Sequence, residues 1–373
     1  MRIINGKLLT MEGPVIENGY IEWQNGIISL LGNMDEITPG PDDYDAHGGY
    51  VLPGFVDAHT CIGLKEESHR YEGVDWNEES NPLTPDADAF DGFNPLDYAL
   101  AHALRGGVTT AVVSPGNTNL IGGQAFAAKL AGKNPAAMVV KRPCAVKFSL
   151  GEDPKNTYAP RKHAPVTRMA ELAMLREILG QAKRYEADAP RKKDRRLEAL
   201  LPLLRGEIPA YIHANRADDI VSALRLAEEF SFRCVIVHGA ESPDVAEELK
   251  AAGTPVIVGS LVLTNYSYET RNAGLHVPAQ LWEKGVPFCI TSDHHMSPIE
   301  YLSVCAALSI RFGLPEEAAL RAITIDAARI AELDQQVGSL HPGKDADIAV
   351  FNNHPFSYDA QLHALFVGGT RIQ

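Results

Sequence analysis

Four apolar runs in this chain end in a side chain that can bind a metal ion or carry a proton. Leu52-Pro-Gly-Phe-Val-Asp-Ala-His-Thr-Cys61 ends in His59 and Cys61, Pro209-Ala-Tyr-Ile-His213 in His213, Cys234-Val-Ile-Val-His238 in His238, and Pro287-Phe-Cys-Ile-Thr-Ser-Asp293 in Asp293. Alternate residues of a strand point to one face, so His59 and Cys61 are predicted to project side by side from a strand's carboxyl end. Imidazole, thiolate and carboxylate are the donors of zinc and related divalent ions. A single strand-end histidine is most often a hydrogen-bonded structural residue. Four such ends in one chain point instead to a shared metal centre.

The elements that must position these groups follow from composition and pattern. A chain of 373 residues exceeds the size at which one core usually stops growing, so a large domain with a smaller companion is expected. Hydrophobic content of 45% and charged content of 22% are ordinary for a globular chain. Short alternating segments open the sequence at Arg2–Leu9, Tyr20–Trp23 and Gly26–Gly32. The same turn-punctuated style returns at Val337–Phe351 and Leu365–Arg371, predicting one small β domain built from both ends. Between about Val51 and Leu333, apolar runs alternate with amphipathic segments, the mark of βα units around a parallel sheet. Helices are predicted at Leu96–Arg105, opened by Asn94-Pro95, at Met169–Glu186 and at Asp218–Phe230. The acidic stretch from Gly63 to Phe93 lacks periodicity and directly follows the first ligand strand, so it reads equally as a lid over the site or as a solvated contact loop. Ala189–Arg196 reads as a solvated basic connector.

Charge and cysteines exclude several functions. A formal net charge of −14 argues against nucleic-acid and anionic-membrane partners, which need a positive field. The amino terminus lacks a signal-peptide pattern and no run reaches membrane-span length, so a cytoplasmic protein is expected. The five cysteines are odd in number and without CxxC spacing, so no disulfide framework is expected.

Taken in order, Pro53-Gly-Phe-Val-Asp-Ala-His-Thr-Cys61, His213, His238, Ser292-Asp293 and Gly338-Ser-Leu-His-Pro-Gly-Lys-Asp-Ala-Asp-Ile-Ala-Val350 resemble the amidohydrolase superfamily. Asn77-Glu78, Pro115-Gly-Asn-Thr-Asn-Leu-Ile-Gly-Gly-Gln124, Lys147 with Gly151-Glu-Asp-Pro-Lys155, and Arg216-Ala-Asp-Asp-Ile220 are similar to its imidazolonepropionase-related branch. The resemblance covers nearly the whole chain. It implies an α/β fold: a metal-dependent TIM-type (β/α)8 barrel, residues 51–337, with a small β-sandwich domain from residues 1–50 plus 338–373. It further implies a divalent metal, zinc first and iron second, on His59, Cys61, His213, His238 and Asp293. In these roles Asp293 is the proton shuttle, and His238 ligates the metal or polarises the substrate. Asn77, Glu78, Asn119, Gln124, Arg216 and His294 are the implied substrate contacts, and Lys147 is a candidate carbamylated bridge or an ordinary ion-pair partner. Self-association, most simply as a homodimer, comes with the same analogy.

Two departures from the family pattern stand out. Its first strand ends His-x-His where this chain has His59-Thr60-Cys61, and related members read His-Ala-His-Arg where this chain reads His213-Ala-Asn215-Arg216. Cys61 is either a thiolate ligand or a small buried apolar group. The sequence therefore leaves three functions open. The first is a metal-dependent hydrolase of a non-peptide carbon–nitrogen bond in a cyclic amide, an imidazolone-like ring or a deamination substrate. The second is a catalytically silent barrel that only binds a small molecule. The third is an N-acyl amino-acid or dipeptide hydrolase, which would need Arg216 or Arg271 to anchor a carboxylate.

Overall fold

The computed structural model describes residues 1–67, 70–188, 192–262 and 267–373. The loop residue His69 and the first part of the basic connector, 189–191, lie outside that set.

Eight strands follow one another in space in the order they occur in sequence: Phe55–Thr60, Val108–Val113, Ile121–Lys129, Val139–Ser149, Ala210–Ala214, Cys234–His238, Val256–Val258 and Phe288–Ile290. Every one of them contributes to a single interior cluster, including Val56, Val112, Ala125, Ala145, Tyr211, Val237, Ile257 and Cys289. This is the TIM-type barrel the resemblance implied. One strand departs from the parallel pattern read from the sequence. Ile121–Lys129 runs antiparallel to both of its neighbours. The connection before it, residues 114–120, is too short for the dozen-residue crossover that a parallel return needs.

The first and last strands are joined by a buried carboxylate. Asp57 accepts hydrogen bonds from Thr291 Oγ1 (2.5 Å), Ser292 Oγ (2.5 Å) and the Ser292 amide (3.1 Å). The Cys61 amide also donates to the His294 carbonyl at 2.7 Å. The two ligand-bearing ends, His59 and Asp293, are thus fixed to each other through Asp57.

A second eight-stranded sheet combines Arg2–Leu8, Ile16–Gln24, Ile27–Asn33 and Tyr44–Asp45 with Ile348–Phe351, Leu362–Val367 and Thr370–Arg371 from the other end of the chain. Its eighth member is Tyr50–Pro53, which pairs antiparallel with Ile348–Phe351. The sheet rolls over its own core, because Trp23 and Phe366, four strands apart in the pairing order, meet edge to face at 5.0 Å. The run from Leu52 to Cys61 is therefore not one strand. It breaks at Gly54, where a Cβ would lie 2.3 Å from the Thr109 side chain. The close approach admits only glycine and lets the chain pass from one sheet to the next.

Two of the predicted helices occur as expected, at Arg168–Asp188 and Ala217–Phe230. The third starts later than the Asn94-Pro95 pair predicted. It spans Tyr98–Arg105, and Asp97 caps it by accepting from the Ala99 amide. Asn94 instead closes a local turn onto the Leu96 amide. The aperiodic stretch after the first barrel strand is pinned by single bridges, Lys65 to Val74, Leu83 to Ile121 and Asp88 to Gln124. Among the described residues no helix is long and apolar enough to cross a membrane.

Candidate functional site

The strand ends bring three groups together. One ligand atom each from His59, His238 and Asp293 lie within 4.8 Å of one another. Asp293 Oδ1 is 3.2 Å from His59 Nδ1 and 3.4 Å from His238 Nε2, yet neither contact has hydrogen-bond alignment. His213 stands beside them, its ring 4.7 Å from that of His238 and crossed at 89°. His59, His213 and Asp293 are 1%, 3% and 6% exposed.

Local backbone aims these groups. His213 lies two residues beyond Tyr211, which packs in the barrel interior, so the strand alternation carries His213 to the same face. His238 and Asp293 adopt left-handed backbone, with φ of 75° and 54°. That conformation costs a non-glycine residue about 1 kcal/mol or more and gathers at functional positions. Asp293 is held by its amide donating to Thr291 Oγ1 at 2.9 Å and by Ser260 Oγ donating to Oδ2 at 3.2 Å.

Electrostatics follow from enclosure. Burial alone would raise Asp293, but the His238 and His59 imidazoles hold its carboxyl well below the usual range. Burial pushes His59 down to about 4 and His213 well below its usual value, so these rings are neutral and offer lone pairs at neutral pH. Buried unpartnered nitrogens are rare, because leaving one unpaired costs about 1–3 kcal/mol. Here His59 Nδ1 and Nε2, His213 Nδ1 and His238 Nε2 are all buried without a hydrogen-bond partner. Imidazole nitrogens with open lone pairs around an ionised carboxylate form a donor set that fits a divalent ion.

The remaining predicted residues divide. Lys147 is fully buried on Val139–Ser149, and its Nζ donates to Asn117 Oδ1 at 2.7 Å. Burial lowers it to about 8, against the pull of Cys61, Asp293 and Asp153. Cys61 is buried near Asp293 but is not part of the close ligand set, and burial pushes its thiol up. Asn215 Oδ1 accepts from the Ala240 amide at 3.3 Å, holding the turn after His238. Asn119 is a strut, donating to the Glu78 carbonyl and Thr84 Oγ1 and accepting from the Tyr158 hydroxyl. Asn77 Oδ1 accepts from the Thr118 amide, and Glu78 accepts from the Ser80 amide. Gln124 anchors strand pairing through its amide, which donates to the Ala87 carbonyl. Arg216 forms a paired contact with Asp218 at 2.8 and 2.9 Å. His294 is 2% exposed with both ring nitrogens unpartnered, and burial lowers it to about 4.

Three neighbours carry no signal in the sequence that marks their role: Asp57 and Asp153, which stand inside the family-like motifs, and Ser260, which follows no pattern. Asp153 Oδ2 is 3.5 Å from His213 Nε2.

An eight-stranded α/β barrel with an imidazole–carboxylate cluster at its strand ends belongs among barrel hydrolases. The narrower assignment comes from comparison: residues 50–372 match the amidohydrolase family, and the chain belongs to it. It is similar to amidohydrolase tasK of Hapsidospora irregularis, 27% identical across 94% of this chain but only 39% of that protein. It is also similar to imidazolonepropionase of Thermoplasma acidophilum, 24% identical across 90% of this chain and 84% of that one. A solved amidohydrolase from Thermotoga maritima superposes with a TM-score of 0.96 at 35% identity, covering 100% of this chain and 99% of its own.

Proposed function

We propose that the protein is a metal-dependent hydrolase of a non-peptide carbon–nitrogen bond, in a cyclic amide, an imidazolone-like ring or a deamination substrate. The observation that carries this reading is the group of buried, unpartnered imidazole nitrogens around Asp293. Family membership and the imidazolonepropionase and adenine deaminase relatives support hydrolysis at carbon–nitrogen bonds.

In this reading His59, His213, His238 and Asp293 would hold a divalent ion, zinc before iron, with Cys61 as the candidate fifth donor, and a second ion would require Lys147 to be carbamylated. When bound, such an ion lowers the pKa of its water to about 7 and polarises a carbonyl or amidine. Asp293 takes the water's proton and returns it to the leaving nitrogen. Its Oδ2 is steadied by Ser260, and its own backbone by Thr291, so the carboxylate keeps one orientation during both transfers. Lys147, a buried amine beside the cluster, is the candidate for carbamylation into a bridging group. The barrel mouth takes a small molecule, and His294, buried next to Asp293 with both ring nitrogens unpartnered, is the candidate contact for it. The dipeptide or N-acyl amino-acid reading is less favoured, because Arg216 is paired with Asp218 and Arg271 with Glu241. Neither guanidinium is left to anchor a carboxylate.

The test is metal stoichiometry by elemental analysis, with melting temperature before and after a chelator. Wild type is expected to hold one or two ions per chain, and His59→Ala and His213→Ala to lose them. Wild type that takes up neither zinc nor iron when supplied with both would end this reading and favour the silent barrel.

A further inference from the structure

The most costly polar construction near the site is the support under one turn. Glu171, Asp219 and Glu269 are 1%, 2% and 3% exposed, and burying three carboxylates is unfavourable unless each is well paired. A single cation, Arg168, serves two of them, contacting Asp219 at 2.7 and 2.8 Å and also Glu269. Two of these carboxylates hold backbone. Glu171 Oε2 accepts from the Gly151 amide at 3.0 Å, and Glu269 accepts from the Glu152 amide. Gly151 has φ of 93°, and a Cβ there would lie 2.8 Å from both Asp219 Oδ2 and Glu269 Oε1. The turn is therefore locked in one conformation from below.

What that turn presents is Asp153. Its carboxylate faces His213 Nε2 at 3.5 Å, and that is its only ionic contact among the described residues. Of its side chain, 38% is open to solvent, whereas His59, His213 and Asp293 beside it are buried. Enclosure on its other sides raises this carboxyl above its usual value. Rigidly placed and partly open, with no guanidinium on it and the neighbouring Lys147 amine directed to Asn117, it is complementary to a donor on a ligand.

We propose that Asp153 is a specificity-determining residue, receiving an ammonium, amidinium or ring N–H of the substrate while the scissile carbon–nitrogen bond lies over the His59–His238–Asp293 cluster. The substrate class is thereby narrowed to compounds carrying a nitrogen donor beside the bond that is cut. Gly151, Glu171 and Glu269 are positioning residues for that carboxylate. The inference deepens the hydrolase reading and rests on it only for the position of the scissile bond.

Calorimetric titration with benzamidine and its neutral analogue benzamide tests it, using metal-loaded wild type, Asp153→Asn, Asp153→Glu and Gly151→Ala. Wild type is expected to bind benzamidine at least about tenfold more tightly than benzamide, the worth of one charge-assisted pair. Asp153→Asn should abolish the preference at unchanged metal content, Asp153→Glu should keep part of it, and Gly151→Ala should weaken it. Equal binding of the two probes by wild type, or a preference that survives in Asp153→Asn, would overturn the assignment. In parallel, turnover of adenine, hydantoin and 4-imidazolone-5-propionate is measured. A wild-type benzamidine preference that depends on Asp153, without turnover of any of the three, would uphold the site and count against the hydrolase reading alone.

Discussion

The two ends of the barrel differ in what their polar atoms lack. At the amino-terminal end, a cavity of about 880 Å³ is lined by Pro209, Arg225, Arg233, Pro255, Pro287 and Glu332, among others. Some of its charges are matched: Arg233 contacts Glu332 and donates to the Gly206 carbonyl, and Arg329 contacts Glu12 and Asp326. None of its lining atoms is buried and unpartnered among the described residues. The carboxyl-terminal end carries a concentration of unpaired imidazole nitrogens, two residues in left-handed backbone and a carboxylate held far below its usual range. Unmet bonding capacity in an otherwise close-packed barrel marks where a ligand and chemistry belong.

The comparison breaks most directly at Asp293. Asp293→Asn removes the proton acceptor while preserving shape, so kcat is expected to fall by about 10²–10⁴-fold, measured on whichever carbon–nitrogen substrate proves active. Undiminished turnover would place the chemistry elsewhere. Asp57→Ala should act on stability instead. It strands the Ser292 hydroxyl and amide and leaves the Thr291 hydroxyl with only the His59 carbonyl, a loss of about 2 kcal/mol or more, read as a lower denaturant midpoint. A midpoint within error of wild type would mean that the first and last strands are joined without it.

A smaller effect concerns pH. Burial lowers His294 and His295 to about 4 from 6.5. Between those values the unfolded chain takes up protons that the folded chain refuses. Their contribution to stability is therefore complete above pH 6.5 and lost as pH falls toward 4. Buried Asp57, raised to about 6, works in the opposite direction, so the informative quantity is a difference between proteins. His294→Gln should lose less stability than wild type between pH 6.5 and 4, as followed by chemical denaturation at each pH. Parallel curves would mean that His294 titrates freely. The smallest effect belongs to the other end. Arg225→Ala in the large cavity should change stability by no more than about 0.5 kcal/mol and leave metal content as it was. A loss of bound metal there would erase the distinction between the two ends.

Much of the site was legible because strand alternation is a local rule. His59, His213, His238 and Asp293 each close an apolar run, and the first, third and fourth of these meet within 4.8 Å. Alternation failed where the chain bends. Gly54 divides the first run between two sheets because of Thr109, a residue more than fifty positions later. It also failed where a loop is short, so that Ile121–Lys129 runs against the parallel grain.

By itself, the sequence determined the barrel-type alternation, the terminal β strands, the acceptor and donor types at the strand ends, and the absence of the second imidazole at Cys61 and Asn215. Those are properties of residue type and spacing, which chemistry near in sequence controls. Only the tertiary structure decided which of these groups meet, that Asp57 joins the first strand to the last, and that Asp153 faces His213 on a turn held by three buried carboxylates. Each depends on contacts between residues far apart in the chain, with |i−j| of 234 for Asp57 and Thr291. A carboxylate's role is set by how much water, how many donors and which charges surround it, and those surroundings exist only once the chain has closed.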